Sequence, residues 1–372
     1  MADTTTGILK RLSKQQFAVR TAKRSYRPVG SEIMVSPDIA RRFVLTQGAA
    51  VTGQTERRKG RTRLVSIESV GGMPPEDFGK RPRFTDLVAI DPDERFELGA
   101  SGTESMRIVD LIAPIGKGSR QLIVSPPKAG KTVLLEHIVQ AIGHCSPQSR
   151  VIVLLVDERP EEVTHFRRSV EGAEVVASTS DHSANEHVEL AELMLAHVQA
   201  ELECGREIVL LIDSLTRVGR AFNNKTRGRG APRRQTMSGG LEAGILEIPR
   251  RLFGLARNVE NGGSVTIIAT CLINTGSRMD QLIFEEFKGT GNSEIVLDRS
   301  MAEARIFPAI DIPASGTRKE AKLYGDDHTR GLSTLRRVLS NYGSRDAMSS
   351  LFKLLKKYPD NAEFLESMCA GG

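Results

Sequence analysis

Five apolar runs of strand length recur between residues 120 and 272, and they constrain the fold of this chain more than any other feature. They read RQLIVS (120–125), RVIVLLVDE (150–158), EVVAS (174–178), EIVLLID (207–213) and SVTIIATCL (264–272). Near-continuous Val, Ile and Leu means strands covered on both faces. Helix-length segments at 132–142, 160–170 and 186–203 separate several of them. Strand alternating with helix predicts an α/β fold, a mostly parallel sheet wrapped by helices.

The residues ahead of this body follow another rule. Between 7 and 70, short apolar runs (Gly7-Ile8-Leu9, Phe17-Ala18-Val19, Ile33-Met34-Val35, Arg42 to Leu45, Ala50 to Gly53, Leu64 to Ile67) are separated by turns. That spacing predicts a small all-β barrel. A stretch rich in Gly, Pro and charge, opening with GGMPPEDFGKRPRF, then runs to about Gly102 and reads as a connector. The predicted organisation is a barrel over 1–75, a connector over 76–106 and a larger α/β body over 107–372. Residues 1–70 hold 14 Lys and Arg against 5 Asp and Glu, a local net of +9, which leaves −3 for the rest of a chain whose total is +6. A basic module ahead of a slightly acidic body points to a polyanion partner, with a merely solvated basic surface as the alternative. The four cysteines, Cys145, Cys204, Cys271 and Cys369, form no C-x-x-C pair and no zinc spacing with histidine, which fits reduced thiols in a cytoplasmic protein. No apolar run approaches the ~18 residues of a membrane span, and no signal-peptide core is present.

Chemistry enters at SPPKAGKT (125–132). A buried strand ends at Val124, a tight turn follows, and a helix begins at Lys131 or Thr132 with Val133, Leu134, Leu135 and Ile138 on its apolar face. Backbone N–H groups at such a helix start can cradle phosphate. Lys131 would reach the β and γ phosphates, and Thr132 would offer its hydroxyl to Mg²⁺. Ser125 stands where the usual pattern has its first glycine, so an ordinary strand–helix turn remains the alternative. Asp213 closes another apolar strand, as the acid that orients a metal's water shell does, although it precedes SLTR and so also suits a helix N-cap. Glu158 ends a third strand, where a carboxylate can polarise an attacking water or simply lie solvated. Arg318 in PASGTRKE and Arg305 in EARIFPAID suit either fingers supplied to a neighbouring subunit or plain surface cations.

The strings SPPKAGKT, DERPEEVT, GGSVTIIAT, FKGTGN and RIFPAIDIPASGTRKE together resemble the Rho family of bacterial transcription termination factors, ring-shaped RecA-type helicases. The resemblance runs from about Gly7 to the C-terminal region, and that family's phosphate loop also lacks the first glycine. It implies a RecA-type P-loop NTPase preceded by a cold-shock-like OB barrel, assembled as a homohexamer. It also implies ATP and Mg²⁺ as cofactors, the nascent RNA transcript as partner, and RNA polymerase as a further one. By position, Lys128, Ala129, Gly130, Lys131, Thr132 and Val133 match the nucleotide loop. Gly116, Lys117, Gly118, Ser119, Arg120 and Gln121 match a segment that also borders the nucleotide. Glu158 matches the carboxylate that activates water, Arg159 a nucleotide-contacting arginine, Asp213 the metal-side acid, and Phe307 the aromatic stacked on adenine. Arg318 matches the finger acting in trans and Arg305 a second interface arginine. Gly276, Ser277 and Arg278 fall in the loop NTGSRMD (274–280) that grips RNA in the central pore, with Arg278 where the family commonly has lysine. The loop 223–240, with Arg234 and Gln235, matches the other RNA-gripping loop.

Three departures stand out. The second pore loop is longer and more basic than usual, with Gln235 where a cation is expected. The family's helical N-terminal subdomain is almost wholly missing, leaving about six residues before the barrel. In QQFAVR (15–20), Gln16 and Ala18 occupy the positions of the family's base-stacking aromatics, and Met34 occupies a third. Phe17 survives one residue out of register, where alternation turns it to the other face. Phe17, Arg20 and the basic loop around Arg61 are the remaining candidate RNA contacts of the barrel. Stacking is worth ~1–3 kcal/mol per base, so its loss predicts RNA binding that leans on phosphate attraction. Two other readings stay open: a rotary-motor ring ATPase, and an RNA-binding regulator that keeps the ATPase fold without terminating transcription.

Overall fold

In the computed structural model, which describes residues 3–370 apart from 15, 29, 31, 59, 227–239 and 242–243, the basic front end closes on itself. Strands β1 (Asp3–Ser13), β2 (Gln16–Arg20), β3 (Ile33–Val35), β4 (Ala50–Arg58) and β5 (Arg61–Val70) form a barrel in the order β1-β2-β3-β5-β4. β1 pairs antiparallel with both β2 and β4, while β3 and β5 run parallel. This is the OB arrangement. Its interior is filled by inward-facing residues of alternate positions, among them Leu9, Phe17, Val19, Val35, Val51 and Leu64, with Phe78 from beyond the last strand.

The body is one sheet of β6 (Ala89–Ile90), β7 (Arg120–Ser125), β8 (Arg150–Glu158), β9 (Glu174–Thr179), β10 (Glu207–Asp213), β11 (Arg257–Val259), β12 (Ser264–Leu272), β13 (Ser293–Val296) and β14 (Gly316–Thr317). Each of the five apolar runs forms one of its strands. The order β14-β13-β7-β12-β10-β8-β9 makes β13 through β9 parallel, with β14 antiparallel at one edge, β11 antiparallel to β12 and β6 antiparallel to β11. Helices Lys131–Cys145, Pro160–Ser169 and Ala184–Glu203 cover it where the sequence places them. The last opens with a capping box, in which Ser183 and Glu186 satisfy each other's backbone N–H groups. The α/β expectation therefore holds, and separate apolar clusters fill the two sides of the sheet. The expected connector is packed at both ends, with Phe78 in the barrel core and Phe96 and Leu98 in the body core.

The barrel sits on helix Ala184–Glu203. Arg20 reaches Glu189 of that helix at 3.0 Å, and Lys10 reaches the same carboxylate at 3.1 Å. His197 Nδ1 lies 2.7 Å from the carbonyl of Gly48, and Arg81 donates to Glu203 at 3.0 Å while its guanidinium covers the Phe78 ring. At Gly48 the chain has φ +84°, and a Cβ there would stand 2.2 Å from the Ala196 carbonyl carbon. Both the left-handed backbone and the close approach demand glycine. Gly48→Ala is expected to cost roughly 2 kcal/mol or more, in the range of a backbone clash at a special φ. Chemical denaturation checks this, and an unchanged midpoint would show that the barrel does not rest on helix Ala184–Glu203 as described.

Candidate functional site

Parallel strands end on the same side of a sheet, so β7, β8, β10 and β12 deliver their following residues to one edge. β7 runs into the loop 125–131, where Lys128 (φ +63°) and Gly130 (φ +84°) turn through the left-handed region before the helix starts at Lys131. A side chain at Gly130 would meet the Phe307 ring at 3.1 Å. Phe307 is 46% exposed, so this aromatic stands against the loop with a free face. Arg305, two residues before it, is exposed with φ +60°. Lys128 and Val133 are exposed and Ala129 is buried. The Thr132 hydroxyl makes no hydrogen bond among the described residues, and it stands at the first turn beside Lys131.

Lys131 Nζ lies 2.5 Å from Asp213 Oδ1, an oxygen that also accepts from Thr270 Oγ1 at 2.8 Å. The N-cap role is taken by the next residue, whose Ser214 Oγ accepts from the Arg217 N–H at 3.2 Å. The Asp213 carboxylate is thereby left to the loop. Glu158 comes from β8, whose register slips between Val156 and Glu158 as Asp157 adopts φ +58°. Such a bulge re-aims a side chain, and here Glu158 ends 3% exposed. Burial, and then the nearby Asp213, push its carboxyl above the ordinary carboxylate range, while Lys131 and Arg217 pull the other way. Arg217 grips it from two sides, with Nε 2.8 Å from Oε1 and Nη2 donating to Oε2 at 3.1 Å, and its Nη1 donates to the Asp157 carbonyl at 2.6 Å. Sequence reasoning missed Arg217. The signal available was a cation one helical turn beyond a strand-end carboxylate, in DSLTR. Arg159 is exposed beside this carboxylate, 3.9 Å from Glu162.

β12 leads to the loop 274–280 at the same edge. Ser277 caps helix Arg278–Lys288 by accepting from Asp280 N–H at 3.3 Å. Asp280 is buried, receiving Thr275 Oγ1 at 2.6 Å and two donors of Arg220, Nε at 2.7 Å and Nη2. Gly276 and Arg278 are exposed. Arg278 has no partner among the described residues and lies at a helix N-terminus, where the backbone dipole disfavours a cation. Arg217 and Arg220 are one turn apart on helix Leu215–Thr226, so one helix holds both Glu158 and the base of this loop. Arg234 and Gln235 lie outside the described residues.

Other expected residues are placed elsewhere. Gly116, Lys117, Gly118, Ser119, Arg120 and Gln121 lie at the start of β7, while the phosphate loop lies at its end, ~17 Å away for five strand steps. Lys117 is taken by Glu94 at 2.6 Å and Glu207 at 3.2 Å, Gly118 N–H donates to Thr266 Oγ1, and Gln121 is fully buried. Strand direction puts this segment at the sheet edge opposite the phosphate loop of its own chain. Arg318 is there too, following Thr317, which pairs with Ser293, which in turn pairs with Gln121. It is exposed and out of reach of its own phosphate loop.

The barrel expectations also change. Phe17 is 3% exposed in the barrel core, beneath the Arg11 guanidinium, because strand alternation turns it inward. Arg20 is buried between Glu32 at 3.1 Å and Glu189 at 3.0 Å, used up by the docking of barrel on body. Neither is free to contact RNA. In their place the face meant for aromatics carries Lys10, Ala18 and Met34 in one cross-strand row. Arg61 does stay exposed, directly opposite Arg58 at the tip of the β4–β5 hairpin, with Arg57 and Arg63 alongside. Like charges in direct opposition are unfavourable unless an anion lies between them.

Residues 105–317 match the model of the ATP synthase alpha/beta family, nucleotide-binding domain. The transcription termination factor Rho of Cereibacter sphaeroides is 46% identical over 369 residues, covering 97% of this chain and 86% of that protein. Rho of Aquifex aeolicus is 45% identical, covering 98% and 84%. Rho of Streptomyces lividans is 46% identical over 96% of this chain, which spans only 51% of that longer relative. Among solved structures, an ATPase of a bacterial type III secretion system matches with a TM-score of 0.63 at 22% identity, over 85% of this chain and 93% of that one. The secretion ATPase EscN of enteropathogenic E. coli matches at 0.60 and 24%, over 77% and 73%. At those identities the likeness concerns the fold.

Phe307→Ala is expected to raise the Kd for ATP about tenfold, the worth of one stacked base, and Phe307→Tyr to hold it. Titration with a fluorescent ATP analogue measures both. Equal binding by the alanine variant would remove the ring from the nucleotide site.

Proposed function

This chain belongs to the transcription termination factor Rho family, and we infer from that membership and from the geometry of its site that it is an ATP-driven RNA translocase and RNA–DNA helicase that terminates transcription. The observation that carries the reading is the division of the catalytic groups. Lys131, Glu158 and Asp213 converge at one sheet edge, and Arg318 stands at the other. A neighbouring copy bringing its Arg318 edge against this one completes the site, which is the arrangement of a homohexameric ring. In that ring the segment 116–120 would face the neighbour's nucleotide together with Arg318.

Each residue then has a task. The loop 128–133 wraps the phosphates, and Lys131 leaves Asp213 to meet them. Thr132, with its unpartnered hydroxyl, and Asp213, with its carboxylate turned to the loop, fit a Mg²⁺ ion. Bound there, the ion neutralises phosphate charge. Phe307 stacks on the base, Arg159 and Arg305 flank the nucleotide at the subunit boundary, and Glu158 takes the proton of the attacking water. The raised affinity of Glu158 for a proton suits that role. Arg217, which holds Glu158 by two contacts, is placed to exchange that carboxylate for the γ phosphate. Helix Leu215–Thr226 would pass that exchange through Arg220 and Asp280 to Gly276, Ser277 and Arg278, which grip RNA in the pore with Arg234 and Gln235 of the second loop.

The division into an RNA-binding barrel (1–75), a connector (76–106) and an ATPase body (107–372), the nascent transcript and RNA polymerase as partners, and a cytoplasmic setting belong to the same proposal. Among the described residues no helix is long and apolar enough to cross a membrane. The likeness to secretion and synthase ATPases reflects the shared body. The exposed arginines of the β4–β5 hairpin and Arg278 favour a polyanion as the translocated partner.

Lys131→Ala is expected to abolish RNA-stimulated ATP hydrolysis and unwinding of an RNA–DNA hybrid. Hydrolysis that survives in this variant would overturn the site. For the barrel, full-length protein binding single-stranded RNA should show a steep fall of log K with log[salt]. Replacing Arg57, Arg58 and Arg61 by alanine should flatten that slope by about 2, at ~0.7 for each phosphate that no longer meets a cation. An unaltered slope would place the RNA away from the hairpin.

A further inference from the structure

The connector and the turn bearing Arg318 meet at one carboxylate. Asp91 directly follows β6, and its oxygens lie 3.0 and 2.9 Å from Lys319 Nζ and 2.8 Å from Lys322 Nζ. Hydrogen bonds from Lys322 and then Lys319 hold its carboxyl down to about 2. Lys319 is the residue after Arg318, and it is held at φ +57°, the left-handed region that a long L side chain seldom occupies. Lys322 lies one turn further on, in helix Ala321–Leu339. The inner side of the same turn is fixed separately: Arg318 N–H donates to the Asn292 carbonyl at 2.8 Å, and Glu320 is taken by Arg336 at 3.0 Å. Among the described residues, Asp91 is the carboxylate that meets both lysines.

Asp91 is not drifting on a loose segment. Ala89 and Ile90 pair with Val259 and Asn258 of β11, Glu260 N–H donates to the Val88 carbonyl at 3.0 Å, and Asn258 Nδ2 donates to Asp93 at 2.9 Å. The connector is thus bolted to the sheet, and the finger turn is tied to the connector. Charges of both signs face Arg318 from the sheet: Arg120 is driven down first by burial and then by Arg318, and the Glu294 carboxylate also interacts with Arg318.

We propose that Asp91 is a positioning residue for the arginine finger: by gathering Lys319 and Lys322 it fixes the turn from which Arg318 projects across the subunit boundary, and it links that aim to the connector carrying the barrel. This rests on the reading of Arg318 as a finger acting in trans. Exposed ion pairs contribute little to global stability, so the effect falls on geometry. A displacement of ~1 Å at a catalytic group can cost ~10²-fold in rate.

Full-length rings test it. Asp91→Asn should lower kcat for RNA-stimulated ATP hydrolysis about tenfold, with KM for ATP, ring size and thermal midpoint unchanged, and Asp91→Glu should keep most of the rate. The decisive readout uses mixed rings. Lys131→Ala subunits, inactive themselves but with intact fingers, should restore hydrolysis to Arg318→Ala subunits. Lys131→Ala subunits that also carry Asp91→Asn should restore far less, whereas Asp91→Asn placed on the Arg318→Ala subunit should make no difference. Equal rescue by the single and double variants would overturn the role of Asp91 while leaving the finger in place. Full activity of homomeric Arg318→Ala rings would instead sink the finger reading, and this proposal with it.

Discussion

The contact between Lys131 and Asp213 depends on hydrogen-bonded register between parallel strands, and the rest of the catalytic edge depends on the same register. β7 and β10 are not neighbours. β12 lies between them, pairing Leu272 with Ser125 on one side and Ala269 with Ile212 on the other. Because all three strands run the same way, their ends fall level, and a lysine at position 131 meets a carboxylate at 213 across 2.5 Å. A slip of one residue in β10 would turn Asp213 to the other face of the sheet. Polar contacts at the strand ends hold that register: Thr270 Oγ1 donates to Asp213 Oδ1 at 2.8 Å, and Leu272 N–H donates to Thr216 Oγ1 at 2.9 Å.

The strands, the covering helices and the phosphate-loop start were legible because burial on two faces leaves an unmistakable composition. The closed barrel was legible as spacing, but its usable surface was not. Arg20 looked like a spare cation, and only the docking onto Glu189 shows it spent. Phe17 was an aromatic in the right neighbourhood, and strand alternation sends it into the core. The 116–121 segment is near the phosphate loop in sequence and far from it in space, because a fully extended strand separates them. Proximity along a chain is a poor guide whenever a strand lies between. Arg217 escaped notice for the opposite reason: it meets Glu158 from a different element, across a bulge that no local pattern announces.

Helix Leu215–Thr226 joins the strand-end carboxylate Glu158 to the base of the loop 274–280. Its two arginines point to different carboxylates, Glu158 in the catalytic cluster and Asp280 beneath the exposed loop. Both carboxylates are buried, so both pairings are firm compared with surface ion pairs. Because both arginines stand on one short helix, a rigid shift of that helix would move both together.

The separation of Arg318 from its own phosphate loop carries a counting rule. If Arg318 acts in trans as proposed, a lone chain has no complete catalytic centre, because what it lacks is on the far edge of itself. Two chains side by side possess one, and a row of n chains possesses n − 1. Only closure of the row raises the total to n, so the final junction adds a centre without adding a subunit. On that reading catalytic capacity is a property of boundaries, and any event that opens a single boundary would silence one centre while every polypeptide remains intact.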